Sequence, residues 1–577
     1  MKLFSSLLAS TALADVYMHF PRGSNNRLNE NSEGRRNGNR LFDSQNNNEG
    51  GYNVGDSKAV FFESTTEAAS ELAIEWWNQH GCGRRDANDA NWVNCQIVLQ
   101  YMCEDSTKTK IQNGLNTNTP AYRRPENNES PQKYKERRRR DTTDNDHAKR
   151  GVHESWEYYD SCYKRDRNYG LFTGNEARVR GGAIYTRQNP GGQRRGYECP
   201  EERDYYPYWH PTPWKDIAVL TSEPGKCTDL LDENGNRNMK YECVHREDND
   251  STLGYSKFNN KEECEFNGVP YRTGAGRKAI PEEKCLLLEK APDCKKAPWS
   301  RANHLGQTDD SDYFPSYKWE LPDFHGLLES QECVLRIRYN VTTNDYLDDF
   351  ASDTSKGYFA GLESHDDPEV TYRGARLQLA LDSAQTGRVF QDRTHVFQLK
   401  PRPASVPSDK TIKNLGVRGR RGNIVQAFPS VEYDFSPTIL EMNRDDLVHI
   451  QWEGSNTNPN SDGEGRQGTD RSNIVPITVP GASIPAGTVS VSSIKKLNNT
   501  EELELQLASS GFYECFEKEN CDYSLNENKN QLQDQLNNAP AYFAGNIVRM
   551  NPGVHQYLST RNNNFSNRAQ KGTIIVN

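Results

Sequence analysis

The stretch Cys333-Val334-Leu335-Arg336-Ile337-Arg338-Tyr339 decides the fold class, because its side chains alternate. Leu335, Ile337 and Tyr339 fall on one face and Arg336 and Arg338 on the other, the period of two expected of a half-buried β-strand. The alternation recurs downstream at Leu377, Leu379 and Leu381, and again at His395, Phe397 and Leu399, before a stop at Pro401-Arg402-Pro403 where a domain is expected to end. Upstream, strands are predicted at Leu72-Ala73-Ile74-Glu75-Trp76 and at Ile97-Val98-Leu99-Gln100-Tyr101, the second bracketed by Cys95 and Cys103. Toward the C-terminus the pattern returns at Val431 to Phe435, at Val448, Ile450 and Trp452, at His555, Tyr557 and Ser559, and at Thr573 to Val576. Short strands separated by turn signals predict a mainly β, multidomain chain of packed sandwiches. Helix is expected to be minor, its best candidate running from Ser524 to Leu536.

The beginning of the chain places the molecule. Met1-Lys2-Leu3-Phe4 through Ala12-Leu13-Ala14 combines one cation, a short apolar run and small residues before Asp15, which predicts a signal peptide over residues 1–14. No later segment reaches the ~18 consecutive apolar residues of a membrane span, so a soluble mature protein is expected. The 13 cysteines contain no Cys-x-x-Cys pair and, behind a signal peptide, read as a disulfide framework with one thiol left over by the odd count. Cys95, Cys103, Cys515 and Cys521 are assigned to disulfides, the last two to a local bond with each other. Sequons at Asn128, Asn249, Asn340, Asn498 and Asn564 predict N-glycosylation. A net charge of −10 gives no overall basic field, which argues against nucleic acid as a partner. The one basic cluster, Lys135-Glu136-Arg137-Arg138-Arg139-Arg140, reads as a solvated loop, with proteolytic processing as the other reading.

The organisation follows from composition. Behind the signal peptide, residues 15–225 are expected to form an N-terminal β-rich domain with long polar loops, since Gly23 to Asn53 carries no apolar period and residues 105–152 are polar and charged. Residues 226–310 hold Cys227, Cys243, Cys264, Cys285 and Cys294 among few large apolar side chains, and read as a disulfide-rich insertion that cannot bury much core. Residues 311–405 are expected to form a β-sandwich domain, and residues 406–577 another.

Several long, unusual segments carry a resemblance. They are His19-Phe20-Pro21-Arg22-Gly23-Ser24-Asn25-Asn26-Arg27-Leu28-Asn29-Glu30, Arg40-Leu41-Phe42-Asp43-Ser44-Gln45-Asn46-Asn47, Gln79-His80-Gly81-Cys82-Gly83, and Gly196-Tyr197-Glu198-Cys199-Pro200 through Trp209-His210-Pro211. Ile337-Arg338-Tyr339-Asn340, Arg418-Gly419-Arg420-Arg421-Gly422-Asn423 and Ser559 to Arg568 belong with them. Together they resemble the DD-three-three family of secreted proteins, a resemblance that implies secretion and carries no settled biochemical activity to transfer. The C-terminal portion also resembles a cupredoxin: Asn443 to Trp452 looks like the strand that in cupredoxins is usually entered from a Gly-Asp turn, and Pro552 to Ser559 like the penultimate strand that normally ends in the copper-binding cysteine.

Chemistry is weighed against that second resemblance. Type 1 copper needs a thiolate, two imidazoles and usually a weak axial thioether. Ser559 stands at the cysteine position, Thr560 to Gly572 holds no His or Met, and Gly454 to Ile474 holds no His, so a cupredoxin-like domain without type 1 copper ligands is expected. His449 alternates with Val448, Ile450 and Trp452 and reads as a surface or sheet-face residue, and His555 as structural. His19 resembles the N-terminal copper ligand of lytic polysaccharide monooxygenases, but cleavage before Asp15 leaves it inside the chain without the amino ligand. His80, His153 and His210 have no partner at metal-ligand spacing, and Gly463-Glu464-Gly465-Arg466-Gln467-Gly468 lacks the strand-to-helix context of a nucleotide loop. Tyr205-Tyr206-Pro207-Tyr208-Trp209-His210 reads as packing, with sugar stacking as the other reading.

The expectation is therefore a secreted or cell-surface glycoprotein with a non-catalytic structural, adhesive or matrix-assembly role. No catalytic, cofactor or metal residue is assigned, and the expected partners are other extracellular proteins or further copies of the chain. A glycan-binding protein and a copper-dependent polysaccharide oxidase related to the monooxygenases are the alternatives.

Overall fold

The computed structural model describes residues 16–23, 58–78, 81–82, 93–103, 215–228, 240–246, 253–255, 284–289, 292–300, 315–324, 330–343, 369–378, 389–419, 433–454, 471–486, 494–496, 501–510, 542–561 and 570–577. Alternation becomes two large sheets. The first, of eight strands, contains β1 (Val16–Phe20), β3 (Ser70–Asn78), β10 (Ser316–Glu320), β16 (Ile412–Gly419), β17 (Tyr433–Ser436), β19 (Leu447–Trp452), β21 (Ile494–Lys496) and β22 (Phe543–Met550). The second, of seven, contains β2 (Val60–Phe62), β4 (Val93–Cys103), β5 (Lys215–Thr221), β9 (Asp293–Lys296), β11 (Gln331–Thr343), β14 (Val389–Arg393) and β15 (Phe397–Lys400). A four-stranded sheet, β18 (Ile439–Met442), β24 (Lys571–Val576), β23 (Gly553–Leu558) and β20 (Val475–Ile477), closes the C-terminal core. A three-stranded sheet of β6 (Lys240–Arg246), β7 (Leu253–Tyr255) and β8 (Lys284–Glu289) lies in the insertion, and β12 (Glu369–Tyr372) and β13 (Ala375–Gln378) form a hairpin. Besides a single 3-10 turn at Pro224–Lys226, the one helical element among the described residues is the α-helix α1 (Glu501–Ser509); the helix expected at Ser524 to Leu536 lies outside them.

The first core lies between the two large sheets. Leu72, Ile74 and Trp76 of β3 meet Ile97, Leu99 and Tyr101 of β4 and Leu335, Ile337 and Tyr339 of β11, all of them buried. β4 and β11 pair antiparallel from Cys103↔Cys333 to Val93↔Thr343. The stretches 15–225 and 311–405 thus contribute strands to one sheet and share one core. Disulfides fasten it: Cys103 to Cys333 across 230 residues, Cys82 to Cys95 beside β4, and Cys227 to Cys294 at the foot of the insertion. Bonds that close loops this long contribute ~2–4 kcal/mol each by restricting the unfolded chain.

Strand β11 departs from the half-buried expectation. Its second face is buried too, with Val334 at 0% and Arg336 and Arg338 at 1% exposure. The charge of Arg336 is tolerated there because Nε donates to Gln100 Oε1 at 2.8 Å, while Gln100 Nε2 donates to Asp216 Oδ1. The three residues are register neighbours on β11, β4 and β5, so the strand ladder itself lines up cation, amide and carboxylate. Leu377 also departs from expectation: it lies on the β12–β13 hairpin, 45% exposed, while Leu379 and Leu381 lie outside the described residues.

The second core, between the C-terminal half of the eight-stranded sheet and the four-stranded sheet, gathers Leu415, Val417, Phe435, Leu440, Met442, Val448, Ile450, Trp452, Val548, Tyr557, Ile574 and Val576. Leu503 and Leu507 of α1 join it, one turn apart on the same helix face. The eight-stranded sheet is continuous across both cores, because β16 pairs in parallel with β3 (Ile412↔Ser70) and with β19 (Ile412↔Leu447). The proline-rich stop at Pro401 is an ordered strap between them. Arg402 donates to the carbonyls of Pro407, Lys410 and Ala68, and Ser408 Oγ donates to Glu67 Oε2 at 2.8 Å.

One glycine is demanded by this architecture. Opposite Gln451, β22 carries one extra residue, so Ile450 pairs with Asn546 while Trp452 pairs with Phe543. Gly545 in that bulge has φ +92°, and a Cβ there would stand 2.5 Å from His449 Nε2. Gly545→Ala is expected to cost ~1–3 kcal/mol, read as a lower unfolding midpoint. Gly374→Ala, at φ +82° but facing open space, is expected to cost less.

Candidate functional site

The residues singled out by the cupredoxin resemblance sit at one end of the second core. Ser559 follows β23 and is 4% exposed, and Asn473, just before β20, is 1% exposed. Ser559 Oγ donates to Asn473 Oδ1 at 3.0 Å, and the Thr560 amide donates to the same oxygen at 2.7 Å. Asn473 Nδ2 donates to Thr560 Oγ1 at 2.8 Å and to the Ala508 carbonyl at 2.9 Å, in the last turn of α1. The Ile474 amide donates to the Leu507 carbonyl at 3.0 Å, so the same short segment satisfies two otherwise orphaned carbonyls at the helix end. Both polar atoms of the Asn473 side chain are consumed by this knot.

A copper ion does not fit these residues. Among the described residues, the buried polar neighbours at this end are Arg471, Ser472, Asn473, Ser559, Arg561 and Gln570, which supply amides, hydroxyls and guanidinium groups. A thiolate and imidazoles make the strong bonds of a type 1 centre, and guanidinium groups repel a cation. What occupies the pole is a hydrogen-bonded clasp holding β20, β23 and α1 together.

His449 is not the surface residue that alternation suggested. It is 2% exposed, 5.1 Å from the Phe62 ring, and burial lowers its pKa from 6.5 to about 3. Asn414 Nδ2 donates to the Glu71 carbonyl, which leaves Asn414 Oδ1 as the acceptor for His449 Nδ1 at 3.1 Å. A neutral imidazole carrying its proton on Nδ1 satisfies that geometry. His555 Nε2 lies 2.6 Å from the Asn551 carbonyl, a local contact.

His449 belongs to a polar seam where the two cores meet, and sequence reasoning did not assemble it. Arg418 Nη1 donates to Glu75 Oε2 at 2.7 Å and Nη2 to Asp434 Oδ2 at 3.3 Å, with all three residues buried. Glu453 Oε1 accepts from the Ala59 amide at 2.9 Å, and Arg22 Nε donates to the Val417 carbonyl at 3.1 Å. Gln451 works as a substitute strand edge: its Oε1 accepts from the Val60 amide at 2.9 Å and its Nε2 donates to the Val60 carbonyl. Burial pushes the Glu453 carboxyl up to about 7 against the lowering effect of Arg22, and pushes Asp434 up to about 6 against that of Arg418. Asp434 is raised although it touches a guanidinium, because its burial outweighs Arg418 and the amides of Phe435 and Lys571, with the nearby Glu75 adding a smaller push in the same direction as burial. The available signal was a charged residue inside an apolar run, as Glu75 stands between Ile74 and Trp76.

His19 lies inside β1, where Val16 and Met18 are 0% and 1% exposed and pair with Asn78 and Trp76. The Met18 amide donates to Asp392 Oδ2 at 2.9 Å in the interior. Removing the chain up to Met18 to free an amino group on His19 would remove these buried contacts. No group of three or more His, Cys, Asp or Glu suited to a metal occurs among the described residues.

Cys95 is bonded to Cys82, and Cys103 to Cys333. Cys515 and Cys521 lie outside the described residues, as do Asn128, Asn249, Asn498 and Asn564, the basic cluster 135–140 and the aromatic stretch 205–210. Asn340 is in β11, in register with Gln96 of β4 and Val389 of β14. No helix among the described residues is long and apolar enough to cross a membrane.

No curated protein and no solved structure matches the chain. Two family models do: the DD3-3 N-terminal domain over residues 14–399, and the DD3-3 cupredoxin-like domain over residues 410–576. The gap between them falls within the strap that links the two cores. Matched along nearly its whole length, the chain belongs to the DD3-3 family.

Proposed function

We propose that this protein is a secreted or cell-surface glycoprotein with a structural, adhesive or matrix-assembly role, its cupredoxin-like domain serving as scaffold. The observation that carries this reading is the Asn473–Ser559–Thr560 knot, which fills the copper pole with a clasp in place of soft metal donors. Three disulfides, compatible with an oxidising extracellular setting, and a sheet continuous through both cores support a rigid building element. The β12–β13 hairpin supports association with other chains. Val370↔Leu377 and Tyr372↔Ala375 put four apolar residues on one face, and Tyr372 is 60% exposed.

The test is to express the full sequence in a secreting eukaryotic host, load the purified product with copper, and combine N-terminal sequencing, metal analysis, glycosidase treatment and oxygen consumption on polysaccharides. The expected result is an N-terminus ahead of Val16, a mass that falls on deglycosylation, no retained stoichiometric copper and no oxidised sugar products. A chain that starts at His19, holds one copper and oxidises polysaccharide would overturn the proposal in favour of the oxidase.

A further inference from the structure

We infer that Cys243 and Cys285 are joined by a disulfide that staples the small sheet of the insertion, inside the loop already closed by Cys227–Cys294. The two residues are register partners on the antiparallel strands β6 and β8. Directly opposed residues of such a pair have Cα atoms ~4.5–5.5 Å apart, within the ~4.4–6.8 Å span that a disulfide bridges. The chain itself supplies the precedent: Cys103 and Cys333 are register partners on β4 and β11, and they are bonded.

The insertion also needs a second staple. Its sheet has strands of seven, three and six residues, too little to hold together by apolar burial alone. Cys227–Cys294 fixes only the foot, where β5 and β9 run parallel from Ala218↔Asp293 to Thr221↔Lys296. A bond between Cys243 and Cys285 is nested within that loop and fixes the register of β6 on β8. Its formation converts two thiols to one disulfide, passing two electrons and two protons to an oxidised dithiol carrier, which leaves as its dithiol.

The pairing also sharpens the arithmetic of the odd cysteine. Six of the 13 cysteines are in the three bonds already described, and this one takes two more. Cys162, Cys199, Cys264, Cys515 and Cys521 remain, an odd set in which at least one thiol is free or bonds another molecule.

The pairing is tested on the full-length secreted protein, alkylated without reduction, digested and mapped by mass spectrometry; the outcome is independent of whether the protein's role is structural. A peptide pair linking Cys243 to Cys285, and dissolving on reduction, is expected. Alkylation of either residue, or a bond from either to Cys264 or any other cysteine, overturns the inference. In Cys243→Ser the labelled thiol count should rise by one, at Cys285, and in the Cys243→Ser, Cys285→Ser double variant it should return to the wild-type value. An unchanged count in the single variant also overturns it, and if that variant does not accumulate, the wild-type map decides.

Discussion

Arg418→Met is expected to destabilise the protein by ~3–5 kcal/mol, the cost of leaving buried carboxylates without their cation. Arg418 lies on β16, belongs to the C-terminal half, and is 1% exposed. It donates to Glu75 on β3 of the first core and to Asp434 on β17 of the second, and its Nη2 donates to Thr438 Oγ1 at 2.8 Å. Methionine roughly preserves the volume, so the loss isolates charge from packing. The same change at an exposed ion pair, such as Lys295 with Asp293, would move stability by less than ~1 kcal/mol. Chemical denaturation followed by tryptophan fluorescence is the measurement, since Trp76 is on β3 and Trp452 in the second core. The wild type should lose both cores together, and the variant should separate them into two transitions because the lost contact spans the seam. Adding Glu75→Gln and Asp434→Asn to Arg418→Met should recover much of the loss. A shift in the variant no larger than that of an exposed pair would show that the triad does not hold the seam.

The strands were legible because alternation is local information. The periods at Leu72 to Trp76, Ile97 to Tyr101 and Cys333 to Tyr339 are β3, β4 and part of β11, and the mainly β class follows from them, whereas the cupredoxin-like C-terminal domain was legible only as a resemblance at Asn443 to Trp452 and Pro552 to Ser559. Pairing is not local. β4 and β11 are neighbours although Gln100 and Arg336 are 236 residues apart, and nothing in either strand names the other. Alternation also misread β11, because it distinguishes apolar from polar side chains, whereas Arg336 is made compatible with burial by Gln100 on one neighbouring strand and Asp216 beyond it. His449 follows the same logic, with Asn414 and Phe62 supplying the environment. At the copper pole the sequence showed what is missing, a thiolate at Ser559, but not what replaces it. Asn473 gains its meaning only from the end of α1 and from Thr560, which folding brings to it.

The same seam predicts a pH dependence opposite to ordinary acid denaturation over part of the range. Glu453 has its carboxyl raised from 4.5 to about 7, and Asp434 from 3.8 to about 6, in both cases chiefly by burial. Glu453 faces Arg22, the Ala59 amide and Tyr542; Asp434 faces Arg418, Glu75, Tyr557 and the amides of Phe435 and Lys571. Below their unfolded values both groups are protonated in either state and contribute no slope. Between the unfolded and folded values the folded protein holds a proton that the unfolded chain has released, so stability falls as pH rises, by ~1.4 kcal/mol per pH unit for each group. The fall begins near pH 3.8 with Asp434, is steepest between about 4.5 and 6 where both groups act, and ends near 7, amounting to ~3 kcal/mol for each. The unfolding midpoint should therefore be higher at pH 5 than at pH 7.5, with other carboxylates reversing the trend only in stronger acid. Glu453→Gln keeps an oxygen for the Ala59 amide while removing the titration, so it should raise stability at pH 7.5 and flatten the fall between pH 4.5 and 7. Midpoints that rise steadily from pH 5 to 7.5 in the wild type would mean that both carboxylates are ionised in the seam, and that Arg22 and Arg418 compensate them more fully than their shared geometry suggests.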